Sequence, residues 1–163
     1  CDVFGNLLAI LFGVANPAQE QRIMTYLRQV GIADPYPVRV LHPVIYPGSK
    51  EWREYYRNNN LNLPNQYHNG GIWPFVGGFY VAALVKTGRL AEAHHQLEKL
   101  AELNRQGGEA EWAINEWCHG VSGQPMGYPN QAWSAGMYIF AYHCVQNESL
   151  PDFWPNNNRA DNA

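Results

Sequence analysis

Three stretches of this chain are apolar on almost every side, and two amphipathic stretches alternate with them. Val3 to Val14 ("VFGNLLAILFGV"), Trp73 to Lys86 and Gln131 to Val145 ("QAWSAGMYIFAYHCV") are the apolar ones. A helix of that kind must be buried all round. Pro17 to Val30 instead places Ile23, Leu27 and Val30 at helical spacing, with Gln19, Glu20, Arg22 and Arg28 between them. Leu90 to Arg105 puts Leu90, Ala93, Leu97, Leu100 and Ala101 on one stripe. Asn16 and Pro17 supply a cap and a first-turn proline. Gly31, Gly88 and the pair Gly107 and Gly108 supply stops. The order of buried and amphipathic helices predicts an all-α fold, an inner layer sheathed by an outer one. Short turns lead from buried to amphipathic helices and imply antiparallel neighbours. Long loops lead back, so both open onto one end, where the inner helices begin. That alternation predicts an α/α toroid. The first buried helix has no amphipathic partner before it, and the third has none after it. The chain therefore reads as the last part of a larger barrel over residues 1–150, followed by a polar, frayed tail over 151–163.

Composition narrows the partners. The 163 residues suffice for a sizeable core. With a net charge of −3 and no basic run, nucleic acid is not an expected partner. No apolar run reaches the ~18 residues that cross a membrane. Cys1, Cys118 and Cys144 are an odd count without metal or disulfide spacing. They read as free thiols in a reducing compartment, hence a cytoplasmic protein with no metal and no cofactor. The chain begins at Cys1, without an initiator Met or a secretory leader, and reads as processed or cut from something longer. Aromatic residues make up 13%, which suits either a generous core or rings that stack on a flat ligand.

The first long loop, from Ile32 to Gly71, ends in "NQYHNGGIWPF" at the mouth of the second buried helix. Loops of this length inside compact domains are usually functional. Backbone N–H groups are unpaired at a helix start, and Gly70 and Gly71 permit close approach of a ligand. Tyr67, His68 and Asn69 offer donors and acceptors for a hydroxyl-rich molecule, and Trp73 offers a flat face. The plainer alternative is that Asn69 caps the helix and Trp73 belongs to the core. The second long loop carries Glu109, Glu111 and Glu116. Glu116 stands between Trp112 and Trp117 with His119 close by, and a carboxylate held among rings is tuned for acid–base work. A plain surface glutamate is the alternative. Gln131 and Ser134 stand at the start of the third buried helix, as Asn69 does before the second.

"YHNGGIWPF", "KTGR" and "NEWCHGVSGQPMGYPNQAWSAG" resemble the C-terminal motifs of six-hairpin glycoside hydrolases, most nearly those of the neutral/alkaline invertases. "DVFGNLLAILFGVA" is similar to that family's Gly-Asn helix, and amylo-1,6-glucosidase domains share a looser version. The resemblance runs from about Asp2 to Val145. It implies an (α/α)6 barrel and inverting hydrolysis of an α-glycosidic bond in a carbohydrate substrate. It places the catalytic base on Glu116 and sugar binding on Tyr67, His68, Asn69, Trp73, Gln131 and Trp133, and Trp117 and His119 beside the base join that set. The family's general-acid Asp lies on an earlier hairpin; by motif Asp2 is not that residue. "NEWCHG" departs from the invertase pattern and puts sucrose in doubt more than the chemistry. A non-catalytic sugar-binding or scaffold module is the alternative. Uncovered inner helices imply a homo-oligomer or association with the missing N-terminal hairpins.

Overall fold

The computed structural model describes residues 1–108 and 110–152. Glu109 and residues 153–163, with most of the tail expected to fray, lie outside the described residues. Five long helices form in chain order: α1 Val3–Leu11, α2 Pro17–Gln29, α3 Pro74–Lys86, α4 Leu90–Gln106 and α5 Ala132–Gln146. A 3₁₀ segment spans Glu54–Asn60, and two short antiparallel strands, β1 Trp117–Cys118 and β2 Pro125–Met126, form a hairpin. The all-α expectation holds. Helix α3 is central and packs against α1, α4 and α5, while α2 lies against α1.

Local chemistry explains the helix starts. Asn16 closes a reciprocal capping box with Gln19, and Pro17 follows in the first turn of α2. Helix α3 starts differently from the sequence expectation. Trp73, in an extended conformation, precedes Pro74, and no side chain caps the helix. Pro74 has no N–H to leave unpaired, which removes one of the groups a cap would serve. Asn69 is therefore not the cap.

Of the three apolar helices, only α3 is buried nearly all round. Helix α1 buries Val3, Leu7, Ile10 and Leu11, a single stripe, and ends at Leu11 rather than Val14. Gly13 then turns the chain with φ at +69°, leaving Val14 at the surface, 78% exposed. Helix α5 buries Ser134, Ala141, Cys144 and Val145 but exposes Trp133, Ile139 and Tyr142. The physical reason is position: α3 packs against α1, α4 and α5, whereas α1 has only α3 and α2 beside it and α5 only α3 and α4 among the described helices.

Two glycines permit the tight packing around α3. A Cβ on Gly77 would lie 2.7 Å from the Pro37 carbonyl oxygen, and one on Gly78 would lie 2.6 Å from that of Met137. The first loop and α5 can press onto α3 only because both positions lack side chains. At the opposite end of α3, Lys86 donates to the carbonyls of Ile10 and Leu11 and pairs with Glu20 at 3.5 Å. A cation at the end of α1 satisfies carbonyls that the helix leaves open.

At the loop end, single β-bridges stitch the helix starts together. Asp2 pairs with Leu41, Arg39 with Ile72, and Ile72 with Cys118 of the hairpin. Val3 N donates to Val40 O at 3.0 Å, and Val40 N to Gly71 O at 3.0 Å. The start of α1, the first loop, the start of α3 and the second loop thus form one hydrogen-bonded mouth.

Candidate active site

Backbone geometry fixes the first wall of the site. Asn65, Tyr67 and Gly70 all have positive φ, and Asn65 N donates to Asn69 O at 2.9 Å while Gly71 N donates to Tyr67 O at 3.1 Å. The result is a tight double turn. A Cβ on Gly71 would lie 2.6 Å from Tyr67 O, so the turn requires glycine there. Asn69 is buried inside it. Its amide nitrogen donates to Ile45 O at 2.8 Å and Asn62 O at 3.1 Å, and its amide oxygen accepts from Ile45 N at 2.8 Å. Asn69 thus pins two distant parts of the loop.

Trp73 is buried, and its indole N–H donates to Tyr67 O at 3.1 Å. The His68 imidazole lies parallel to it, centroids 5.0 Å apart and planes within 1°. Tyr67 packs against Trp73 at 5.0 Å and edge-on to the buried Trp117 at 5.9 Å. The outcome is a layered aromatic wall with His68 outermost, exposed to solvent.

Glu116 enters from the second loop, just before β1. Its backbone N donates to Tyr128 O at 2.9 Å, and its carboxylate accepts from Tyr128 N at 3.5 Å. Gly127, with φ at +66°, lies directly beneath: a Cβ there would fall 2.5 Å from Glu116 Oε2 and 2.8 Å from Trp117 Cδ1. The carboxylate therefore rests in a notch beside Trp117. Trp112 instead stands exposed, so Glu116 has a ring on one side rather than two.

The two loops meet at Gly120. Its N–H donates to Asn65 O at 2.8 Å, and a Cβ would lie 2.0 Å from the Gly70 carbonyl oxygen. Backbone against backbone leaves nothing that can rotate away. Gly120→Ala is expected to cost at least about 3 kcal/mol through forced separation of the loops. That lowers the melting temperature by roughly 6–12 °C for a chain of this size. A thermal melt that shifts by less than two degrees would show that the loops slide without penalty.

Burial against Trp73 holds the His68 imidazole below its ordinary pKa, and the Glu116 carboxylate partly opposes that shift. His68 and Glu116, from different loops, are thus within electrostatic reach. The folded state favours the neutral ring, so the His68 contribution to stability is present above the unfolded value of about 6.5. It is lost as pH falls through that value towards the folded one. Proton NMR should give a His68 midpoint below that of a free histidine. Glu116→Gln should lower it further, because the carboxylate charge that opposes the shift disappears; an unmoved midpoint would mean the two side chains do not face each other.

The remaining sequence candidates fall elsewhere. His119 Nδ1 accepts from Val121 N and Ser122 N, both at 3.3 Å, and so shapes its own turn. The Gln131 amide donates to the carbonyls of Tyr128 and Pro129, both at 3.2 Å, and braces the stretch that bonds Glu116. Trp133 stands 53% exposed on the outer side of α5. Glu111 is exposed and paired with Arg105 at 2.9 Å. The structure thus brings together Glu116, Tyr67, His68, Trp73 and Trp117, gives Asn69, His119 and Gln131 bracing contacts, and leaves Trp133 apart.

Residues 2–148 match the family model described as alkaline and neutral invertase. The chain belongs to the alkaline and neutral invertase family. It is 33% identical to probable alkaline/neutral invertase D of Arabidopsis thaliana over 89% of this chain and 27% of that protein. It is 29% identical to cytosolic invertase 1 of Oryza sativa over 89% of this chain and 25% of that protein. The chain thus spans about a quarter of the length of these curated relatives. Among solved structures it is similar to the GH63 mannosylglycerate hydrolase of Thermus thermophilus, with a TM-score of 0.57 and 18% identity, over 82% of this chain and 28% of that one. At that identity the likeness establishes the fold, all-α and a portion of a helical toroid of the (α/α)6 type.

One residue that lines the cavity beside His68 is not singled out in the sequence. Asp2 lines, with His68, Trp73, Phe4 and Phe75, a cavity of about 240 Å³ at the mouth of the inner helices. Its carboxylate also accepts from Gly5 N at 3.3 Å, an ordinary N-cap. In sequence, Asp2 is set aside by motif as not being the family's general acid, and no other role is read for it. The bridge between Asp2 and Leu41 is what carries it to the cavity. All three cysteines are unpaired; Cys118 and Cys144 are buried, which pushes their thiols up to about 12 and about 11.

Proposed function

We propose that this chain carries the general-base half of an inverting α-glycosidase site, with Glu116 as the base and the acid Asp outside the chain. The observation that carries the reading is the placement of Glu116, over the Gly127 notch and within electrostatic reach of His68 on the Trp73 wall. A sugar ring lies against the His68, Tyr67 and Trp73 layer. The Glu116 carboxylate takes a proton from a water as that water attacks the anomeric carbon. On the opposite face the acid protonates the departing glycosidic oxygen. Inverting chemistry needs the two carboxyl groups ~6.5–9.5 Å apart, which leaves room for the water. In this reading Asn69, His119, Gln131 and Trp117 position the groups that touch substrate, and Asp2 adds a hydroxyl-binding carboxylate. Trp133 touches sugar only once further helices close over α5. The substrate class is an α-glycoside of a hexose.

The same reading has the open sides of α1 and α5 covered by further helices, either the remaining hairpins or a second copy. The free thiols support a reducing compartment, the cytosol.

The test is to express the chain together with the N-terminal hairpins of an alkaline/neutral invertase and to follow sucrose and maltose by proton NMR. Release of the inverted, β-configured glucose is the expected first product. The α anomer appearing first, or hydrolysis by the hairpins without this chain, would overturn the reading. Sugar binding by calorimetry with no product from the full assembly would make the chain a binding module instead.

A further inference from the structure

The notch that holds Glu116 is the open end of a β-hairpin. Glu116 directly precedes β1, and Gly127 and Tyr128 directly follow β2. The carboxylate thus comes from the side of β1, while the floor of the notch and its backbone donor come from the side of β2. The two strands are fixed differently. Cys118 of β1 exchanges backbone hydrogen bonds with Ile72, at 2.7 and 2.8 Å. β2 receives a side-chain bond from Asn115 to Met126 O at 3.4 Å, close to the outer limit for a hydrogen bond. A ribbon of two such short strands is not held by its own pairing.

The tip that joins the strands rests on Tyr36 of the first loop. His119 N donates to Gln124 O and Gly123 N to His119 O, both at 2.9 Å, which closes the tip. Gly123 takes a φ of +70°, and a Cβ there would lie 2.6 Å from Tyr36 Cε2 and 2.8 Å from Cδ2. The tip backbone therefore sits directly on the edge of the ring, an approach that only glycine permits. Tyr36 is itself well braced. Its half-buried ring packs against the cluster of Ile72, Leu100, Leu103 and Cys118, and its hydroxyl accepts from the Gln106 amide at the end of α4. The next residue, Pro37, presses its carbonyl onto Gly77 of α3. Tyr36 thus ties the hairpin tip to both α3 and α4, and it does not line the cavity beside His68.

We infer that Tyr36 is a positioning residue for Glu116: its ring seats the hairpin tip and so holds β2, with Gly127 and Tyr128, where the carboxylate rests beside Trp117. The inference rests on the base assignment of Glu116. Tyr36 acts through the hairpin and touches no substrate.

The experiment is a double-mutant cycle on the 163-residue chain, read as the His68 midpoint by proton NMR. Asp2 lines the same cavity as His68 and is present in every protein of the cycle, so the charge that changes is that of Glu116. In a Tyr36→Leu background, the drop in midpoint caused by Glu116→Gln should shrink to about half or less of its wild-type size. Leucine keeps apolar cover over Leu100 and Leu103 and withdraws the ring edge, so helical circular dichroism should stay unchanged. Gly123→Ala lifts the tip from the same ring without touching that cluster and should shrink the drop in the same way. Tyr36→Phe keeps the ring beneath Gly123 and should preserve the full drop. In the enzyme assembled with the N-terminal hairpins, Tyr36→Leu should lower kcat about tenfold or more with KM within about twofold, because a base displaced by ~1 Å costs rate rather than binding. Tyr36→Phe should keep turnover near that of the wild type. A full Glu116→Gln drop in both the Tyr36→Leu and Gly123→Ala backgrounds would overturn the inference and leave the base assignment standing. So would a Tyr36→Phe enzyme as impaired as Tyr36→Leu. Turnover that survives Glu116→Gln, with the cycle behaving as expected, would instead remove the base role and keep Tyr36 as the seat of the hairpin.

Discussion

Glu116→Gln is expected to lower hydrolysis by about three orders of magnitude in the assembled enzyme while sugar affinity stays within about twofold. Glutamine has the same shape and keeps an oxygen to accept the Tyr128 N–H, so the notch over Gly127 stays filled. What it cannot do is take a proton from water. General-base catalysis contributes typically ~10²–10⁴-fold, and three decades correspond to about 4 kcal/mol of activation free energy. Because the loss belongs to the chemical step, it should appear in kcat rather than KM. Glu111→Gln is the matched control. Glu111 sits in the same loop but is exposed and paired with Arg105, so its removal should leave turnover unchanged. Turnover that survives Glu116→Gln, or that falls with Glu111→Gln, would move the base to another residue.

The purified chain by itself is expected to associate. Trp133, Gly136, Ile139 and Tyr142 follow one another at intervals of three along α5 and all face solvent, with Ile139 57% and Tyr142 45% exposed. A Cβ on Gly136 would meet nothing within 4 Å, so the stripe carries a shallow notch into which another helix can settle. Such an apolar surface is rarely left open. A patch of roughly 400 Å² corresponds to about 10 kcal/mol of transfer free energy before the costs of association. Light scattering at tens of micromolar should therefore report a dimer or larger species. Ile139→Glu combined with Tyr142→Glu should return it to a monomer with unchanged helical circular dichroism. A wild-type monomer with a cooperative melt would mean that one copy satisfies its own inner helices.

Much of the architecture follows from periodicity alone. The Asn16–Gln19 box, the glycine stops and the stripes of α2 and α4 are local signals, because they depend on residues three or four apart in one chain segment. The motif around Glu116 and the aromatic passage ahead of α3 were likewise legible as loops before the inner helices, and both loops do open at the same end. Burial was not legible. "VFGNLLAILFGV" and "QAWSAGMYIFAYHCV" read as fully enclosed, yet enclosure depends on how many neighbours a helix has, and no residue in the helix records that number. The division of roles within the site was equally hidden. Asn69 and His68 are adjacent in sequence and similar in polarity, but one is sealed into the turn and the other faces the cavity. Asp2 carries no site motif, and only its pairing with Leu41 brings it beside His68. Gly120 and Gly127 look like interchangeable loop glycines; one meets the opposing backbone and the other makes room for a carboxylate. The sequence by itself determined which segments become helices and which residue types gather at the mouth, since both arise from short-range spacing. Only the tertiary structure decided which side chains touch, because contacts between loops dozens of residues apart are set by the packing of α1, α3 and α5, and a single missing Cβ at Gly120 is what lets those loops close.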